Sequence, residues 1–309
     1  MNYLYQVNYQ CHNQDLCYLE MRSLFNEAID EKVFFQDKRV NPSLSPFIKL
    51  RLKISYKYEK FDELIEFLMK HPIKGNGFIV EYVSLNGEDE YFKNRRSYCK
   101  DVGMTFLGFP AYKEPSIRFG LSYYKGFWYF GELVYPKNDW HQHKKKPHNF
   151  SSSLNYILAK ALTNIAGKGD LSSRMIDPCC GVGTVVLEAK YNGYTIDSSD
   201  INKNLVQLTK KNLLHFNYDC QVSVCNIMDL KDFYDAAIID LPYNILNHTD
   251  QDNVIEIIRN ASRSSKRQVF VSSTDICSLI NELDMTLVDY CKVDKNKANK
   301  FSRYIWVCE

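Results

Sequence analysis

The stretch RMIDPCCGVGTVVLEA, Arg174 to Ala189, decides how this chain is read. A short apolar segment ends in Asp177 and runs through Gly181 and Gly183 into a sequence with helical character. Glycines at such a strand-to-helix turn let the backbone pass close to a ligand, because they tolerate the required dihedrals and carry no Cβ to collide with it. A dinucleotide fingerprint would need a third glycine three residues after the second, and Val186 stands there. Asp177 at the strand end suits a ligand with a positively charged amino-acid moiety better than a pyrophosphate.

Outward from this turn, segments of strand and helix character alternate: helix at 153–167, strand at 174–178, helix at 183–193, strand at 194–200, helix at 202–216, strands at 221–226 and 234–242. A helix at 252–265, a strand at 267–273, a helix at 274–284 and a last strand at 301–309 complete the pattern. This is the signature of a doubly wound α/β domain with a mostly parallel sheet. The second strand closes with Asp200, followed by Ile201, where a carboxylate accepts hydrogen bonds from ribose hydroxyls. The third ends at Asn226, placed to meet an adenine amino group, with Asp229 as the competing residue. The fourth delivers Asp240-Leu241-Pro242-Tyr243. An exocyclic amine on an aromatic base is a poor nucleophile, since its lone pair is delocalised into the ring. Asp240 and the Leu241 carbonyl would hold its N–H, Tyr243 would stack on the base, and Pro242 would stiffen the turn.

The first half is α+β in character, with strands rich in aromatic and β-branched residues (YLYQVNY, FIVEYVSL, SIRFGLSYYKGFWYFGELVY) and two helical stretches. A polar, basic segment at 136–153 separates the halves, giving domains at 1–140 and 153–309 with a linker at 141–152. Residues 1–150 hold 22 Lys+Arg against 18 Asp+Glu, a balance of +4, and the remaining residues 17 against 19, a balance of −2. A polyanion would therefore be gripped by the first half, with Lys93, Arg95, Arg96 and Lys100, by Lys144, Lys145 and Lys146 in the linker, and by the 292–303 segment. His141, His143 and His148 lack a thiolate or carboxylate at ligand spacing, so they are expected as phosphate contacts or solvent-exposed groups, and no metal is expected. The ten cysteines form no C-x-x-C pair and read as reduced thiols. Neither an apolar run of membrane-spanning length nor a secretory leader is visible, so cytoplasm is the expected location.

Together these residues resemble the THUMP-domain tRNA guanine-N2-methyltransferases that modify guanosine at position ten, and related bacterial RNA guanine-N2-methyltransferases. The resemblance rests on D-P-x-C-G-x-G-T at Asp177–Thr184, on Leu187 to Ala189, on D-I-N at Asp200–Asn202 and on F-x-x-S after the lysine run. GELV at Gly131–Val134 looks like the end of a THUMP domain, and L-x-x-x-E at Leu16–Glu20 like part of a small leader. It implies a Rossmann-like class I methyltransferase domain of seven strands behind a THUMP-like RNA-binding region. It also implies S-adenosylmethionine (SAM) as cofactor, held by Asp177, Cys179, Gly181, Gly183, Thr184, Asp200, Ile201 and Asn226. The implied substrate is RNA, tRNA before rRNA, and some relatives need a small activator subunit. Two departures stand out: the family's D-P-P-Y-G has Leu241 and Asn244 here. Competing readings are an amino-methyltransferase of DNA adenine or a protein amide, which would lack the THUMP-like half, and an RNA-binding assembly factor without turnover.

Overall fold

The computed structural model describes the chain except residues 1, 86, 88, 152, 243–247 and 295–301, and the side chains of 248–251 are also outside the description. The first half of the chain forms β1 (Tyr3–Val7), α1 (Gln14–Phe25), β2 (Val33–Gln36), β3 (Ile48–Tyr58), α2 (Phe61–Lys70), β4 (Phe78–Tyr82), α3 (Arg95–Met104), β5 (Ile117–Tyr124) and β6 (Phe127–Val134). Then follow α4 (Tyr156–Gly167), β7 (Arg174–Asp177), α5 (Thr184–Asn192), β8 (Thr195–Asp200), α6 (Lys203–His215), β9 (Val222–Val224), β10 (Tyr234–Asp240) and α7 (His248–Ser264). The chain closes with β11 (Ser265–Ser272), α8 (Cys277–Glu282), β12 (Leu287–Asp294) and β13 (Ser302–Cys308).

The last seven strands make one sheet in the order β12-β13-β11-β10-β7-β8-β9. β11, β10, β7, β8 and β9 run parallel to their neighbours, and β13 is inserted antiparallel between β11 and β12. From β7 the chain winds outward through β8 and β9, and from β10 it winds the other way through β11. The carboxyl ends of β7 and β10 therefore flank the switch point at which doubly wound sheets bind ligands. Burial explains why the central strands are nearly continuously apolar: Ile176, Ala237, Ile239 and Phe270 lie in one core with Ile258 of α7 and Trp306 of β13. β12 escapes the sequence pattern because it is an edge strand with charged Asp289, Lys292 and Asp294, and Val288 and Tyr290 face outward. Of the 292–303 segment read as a charged stretch, the described ends are strand: Lys292 lies on β12 over the Tyr304 ring, Arg303 is buried in β13, and 295–301 lie outside the described residues.

The first sheet has the order β2-β1-β3-β6-β5-β4, antiparallel except for the parallel pair β4 and β5. On one face Leu64 and Leu68 of α2 and Val102 of α3 cover Phe119, Leu121, Trp128 and Phe130. The aromatic wealth of this half is therefore core, with Phe61 and Tyr91 rings 4.9 and 4.7 Å from Trp128. On the other face Leu4, Val33, Leu50, Leu52 and Leu133 pack together.

Contacts divide the chain differently from a cut at 141–152: one compact unit comprises Met1–Asn8, Asp30–Pro42 and Phe47–Pro136, the other Tyr9–Ile29, Ser43–Pro46 and Lys137–Glu309. The second unit takes α1 because of a buried polar network. Glu20, fully buried, accepts from Ser45 Oγ at 2.6 Å and from Asn164 Nδ2 of α4 at 2.6 Å. Asn192 Nδ2 donates to Asn164 Oδ1 at 3.2 Å, and the buried Lys160 ammonium donates to Asn192 Oδ1. Nor is 141–152 a free linker, since a 3-10 helix at Asp139–Lys145 buries Trp140 and His143.

Burial raises the Glu20 pKa from 4.5 to about 8, against the lowering effect of its two hydrogen bonds and of Lys160. A raised folded-state pKa contributes stability that is whole below the unfolded value and is lost as pH rises through the folded one. Glu20→Gln, neutral and nearly isosteric, should melt like wild type at pH 5 and higher than wild type at pH 9. The difference should be on the order of a few kcal/mol. Parallel melting curves over that range would refute the assignment.

Candidate active site

The turn after β7 is built around two glycines in the left-handed region, Gly181 at φ 55° and Gly183 at φ 77°. At Gly183 a Cβ would lie 2.6 Å from Thr209 Cγ2, so both the backbone and the close approach of α6 require glycine there. Thr209 Oγ1 donates to the Gly181 carbonyl at 2.8 Å and fixes the turn from the α6 side. From β8, Asp200 Oδ2 accepts the Gly181 N–H and Oδ1 the Asn202 N–H, each at 2.9 Å. Asp200 is 8% exposed, yet a carboxylate offers about four acceptor positions, which leaves two for a ligand.

At the carboxyl ends of β7 and β10 a cavity of about 170 Å³ opens, lined among others by Asp177, Cys179, Gly181, Thr184 and Asp240. Five of the residues expected from the sequence are thereby brought together. Asp177 is buried, and burial, reinforced by the charges of Asp200 and Asp240, holds its carboxyl well above the usual range; the Cys179 N–H at 3.3 Å opposes this. The same burial and the same three carboxylates push the Cys179 thiol up to about 12. Burial and these carboxylates thus disfavour the thiolate that covalent cysteine chemistry would need.

The other expected residues lie around the cavity rather than in its wall. Ile201, next to Asp200, is 71% exposed. Asn226 spends its side-chain oxygen on the Met228 N–H at 3.1 Å, capping a 3-10 turn, and keeps its amide NH₂. The strand expected to reach 242 ends at Asp240, but the Leu241 N–H still bonds Val271 O at 2.9 Å, and Leu241 is buried while Pro242 is exposed. Tyr243 and Asn244 lie outside the described residues. Phe150, Ser153 and Leu154 also line the cavity. Phe150 and Ser153 belong to the F-x-x-S pattern but were not expected in the site; helix α4 starts only at Tyr156, capped by Asn155 at 2.8 Å, later than the expected 153, which leaves Ser153 and Leu154 outside the helix.

Among the expected RNA contacts, Lys93 and Arg96 are exposed, and Arg95 donates to Phe92 O at 2.9 Å and lies over the Phe92 ring. Arg95, Arg96 and Lys100 line a groove between α3 and β4 of the first unit. Lys144 and Lys145 are exposed, whereas Lys146 is buried with its Nζ 3.0 Å from Thr184 Oγ1, which corrects its assignment as a surface contact. His143 is likewise buried, its Nδ1 2.8 Å from Glu188 Oε1 and its Nε2 3.2 Å from Tyr218 Oη, so it is a packed group and not a phosphate contact. Among the described residues no cluster of three or more His, Cys, Asp or Glu is arranged to hold a metal.

A sheet with this strand order, a glycine turn after its first strand, and acids at the ends of the first, second and fourth strands define a class I methyltransferase domain. The chain belongs to the family described as UPF0020, RMKL-like, methyltransferase domain, whose model matches residues 143–303. It is 33% identical over 106 residues to the tRNA (guanine(10)-N2)-dimethyltransferase of Methanothermobacter thermautotrophicus, a match covering 33% of this chain and 31% of that protein. It is 30% identical over 166 residues to a "Probable tRNA (guanine(10)-N2)-dimethyltransferase" of Methanothermococcus thermolithotrophicus, covering 48% of this chain and 96% of that one. Of these two curated relatives the chain thus spans under a third of the first and nearly all of the second. The crystal structure of TrmN from Thermus thermophilus is similar at 12% identity and a TM-score of 0.48, over 100% of this chain and 99% of that one.

The donor set fits SAM. Asp177 would face the cationic amino-acid group, Asp200 would offer two acceptor positions to ribose hydroxyls, and Gly181 and Gly183 would leave a path for the ligand. No helix among the described residues is long and apolar enough to cross a membrane.

Proposed function

We propose that this methyltransferase modifies the N2 amine of a guanosine in RNA, tRNA in particular, and works in the cytoplasm. The observation that carries the reading is the placement of Asp240, which ends β10 and lines the same cavity as Asp177 and the glycine turn. SAM, when bound, supplies a methyl group activated for transfer to a nucleophile. The chain's own part is to make the amine nucleophilic. Asp240 accepts one N–H of the amine and, with the Leu241 carbonyl, draws the nitrogen lone pair out of conjugation; Tyr243, outside the described residues, is the aromatic that the motif offers to the base. The reaction releases a proton from nitrogen, and Asp240, which holds that N–H, can receive it. The names of the curated relatives supply the nucleoside, and the first unit, with Arg95, Arg96 and Lys100 along one groove, is the THUMP-like element that grips RNA. The base must leave its stack to reach the cavity, so selection rests on RNA shape as well as on the site.

The test is incubation with methyl-tritiated SAM and bulk tRNA or rRNA from a strain lacking the gene, followed by nucleoside identification. Label in N2-methyl- or N2,N2-dimethylguanosine is expected. Label in an adenine derivative would replace guanosine as the target, and bound cofactor without label in any RNA would overturn the proposal.

A further inference from the structure

Lys146 sits in the run Lys144-Lys145-Lys146, and its two neighbours are exposed, yet its own side chain is 8% exposed. The anchoring of the preceding 3-10 helix explains this. The Trp140 side chain is buried, and His143 is clamped between Glu188 of α5 and Tyr218, which lays the segment along α5. Lys146 then reaches the first residue of that helix, with Nζ 3.0 Å from Thr184 Oγ1. An ammonium has three donors, and among the described residues Thr184 is the hydrogen-bond partner of this one. Burial lowers the Lys146 pKa, with Glu188 acting in the opposite direction, so the environment compensates the charge incompletely.

Thr184 lines the cavity. A hydroxyl that accepts a bond from an ammonium must direct its own hydrogen elsewhere, and among the described residues no acceptor takes it. No side chain caps the N-terminus of α5, so the helix end adds partial positive charge at the same place. A buried cation, a hydroxyl left to donate and an uncapped helix start all favour an anion, in a cavity whose other wall carries Asp177 and Asp240.

We infer that Lys146 is a positioning residue for the carboxylate of the cofactor's amino-acid moiety, acting by turning Thr184 into a donor toward it. The inference rests on the reading of this cavity as the SAM site. It gives the cavity a polarity: the carboxylate end of the ligand lies at α5 and the cationic end at Asp177. The lysine is thus taken out of the RNA-facing run and assigned to the cofactor.

Calorimetric titration of the full chain with S-adenosylhomocysteine and with methylthioadenosine, which lacks the amino-acid moiety, tests this directly. Lys146→Met should weaken S-adenosylhomocysteine about 10-fold while leaving methylthioadenosine unchanged, Lys146→Arg should recover most of the loss, and Thr184→Val should add little to Lys146→Met. Equal weakening of both ligands would make Lys146 a packing residue and overturn the inference, as would unchanged affinity for both. Wild-type chain that binds neither ligand would instead remove the cofactor reading on which the inference stands.

Discussion

Asp240→Ala should abolish methyl transfer, by about 10³-fold or more, while S-adenosylhomocysteine affinity stays within a few fold of wild type. The expected split follows from where Asp240 stands. It ends β10 and faces the cavity, but the contacts that hold the cofactor turn together come from elsewhere: Asp200 to Gly181 and Asn202, Thr209 to Gly181, and Cys180 N–H to Ser199 O at 2.9 Å. The Leu241 N–H, bonded to Val271 O, anchors the chain just past Asp240 through the backbone, so truncation at 240 should leave the strand end in place. Asp240→Asn keeps one acceptor for the amine and loses the negative charge, so it should retain more transfer than alanine and less than wild type. Single-turnover rates with tritiated SAM and RNA, alongside calorimetry with S-adenosylhomocysteine, provide both readouts. Loss of cofactor binding with intact melting behaviour would move Asp240 from the amine to the cofactor.

How much of this was legible in the sequence depends on the range of the interaction concerned. The alternation of strands and helices in the second half, the glycine turn and the acids at the ends of β7, β8 and β10 are local signals, because each is set by a period or by a few adjacent residues. β12 was not legible, since its charged, outward-facing residues break the apolar pattern and only pairing with β13 makes it a strand. The division of the chain was not legible either. Glu20 and Asn164 are joined by a hydrogen bond across 144 positions, and nothing near Glu20 announces a partner in α4. Lysines misled most. Lys144, Lys145 and Lys146 are chemically alike in sequence, and the burial of Trp140 and of His143 against Glu188 and Tyr218 turns the third one inward. The aromatics of the first-half strands gather in the core around Trp128, a packing that depends on α2 and α3 covering the sheet and is not a local signal.

Asp200→Asn should weaken S-adenosylhomocysteine by about 100-fold, or about 2.7 kcal/mol, with kcat at saturating SAM changed only a few fold. Both Asp200 oxygens already accept a backbone N–H, from Gly181 and from Asn202, each at 2.9 Å. An asparagine amide has one oxygen and one NH₂, so in either orientation its NH₂ faces one of those N–H groups, donor against donor. The side chain must then turn, which loosens the Gly181 end of the turn and removes the acceptor positions that face the ribose. The Asp200 charge also helps raise the Asp177 pKa, so the substitution should lower it and make that buried carboxyl easier to ionise. A 2′-deoxy analogue of S-adenosylhomocysteine separates the two contributions: wild type should bind it more weakly than the parent ligand, and the variant should bind both alike. If the variant still prefers the parent by the wild-type margin, Asp200 only braces the turn and the ribose is read elsewhere, leaving Asn226 and Asp229 on the next strand end as the groups to test.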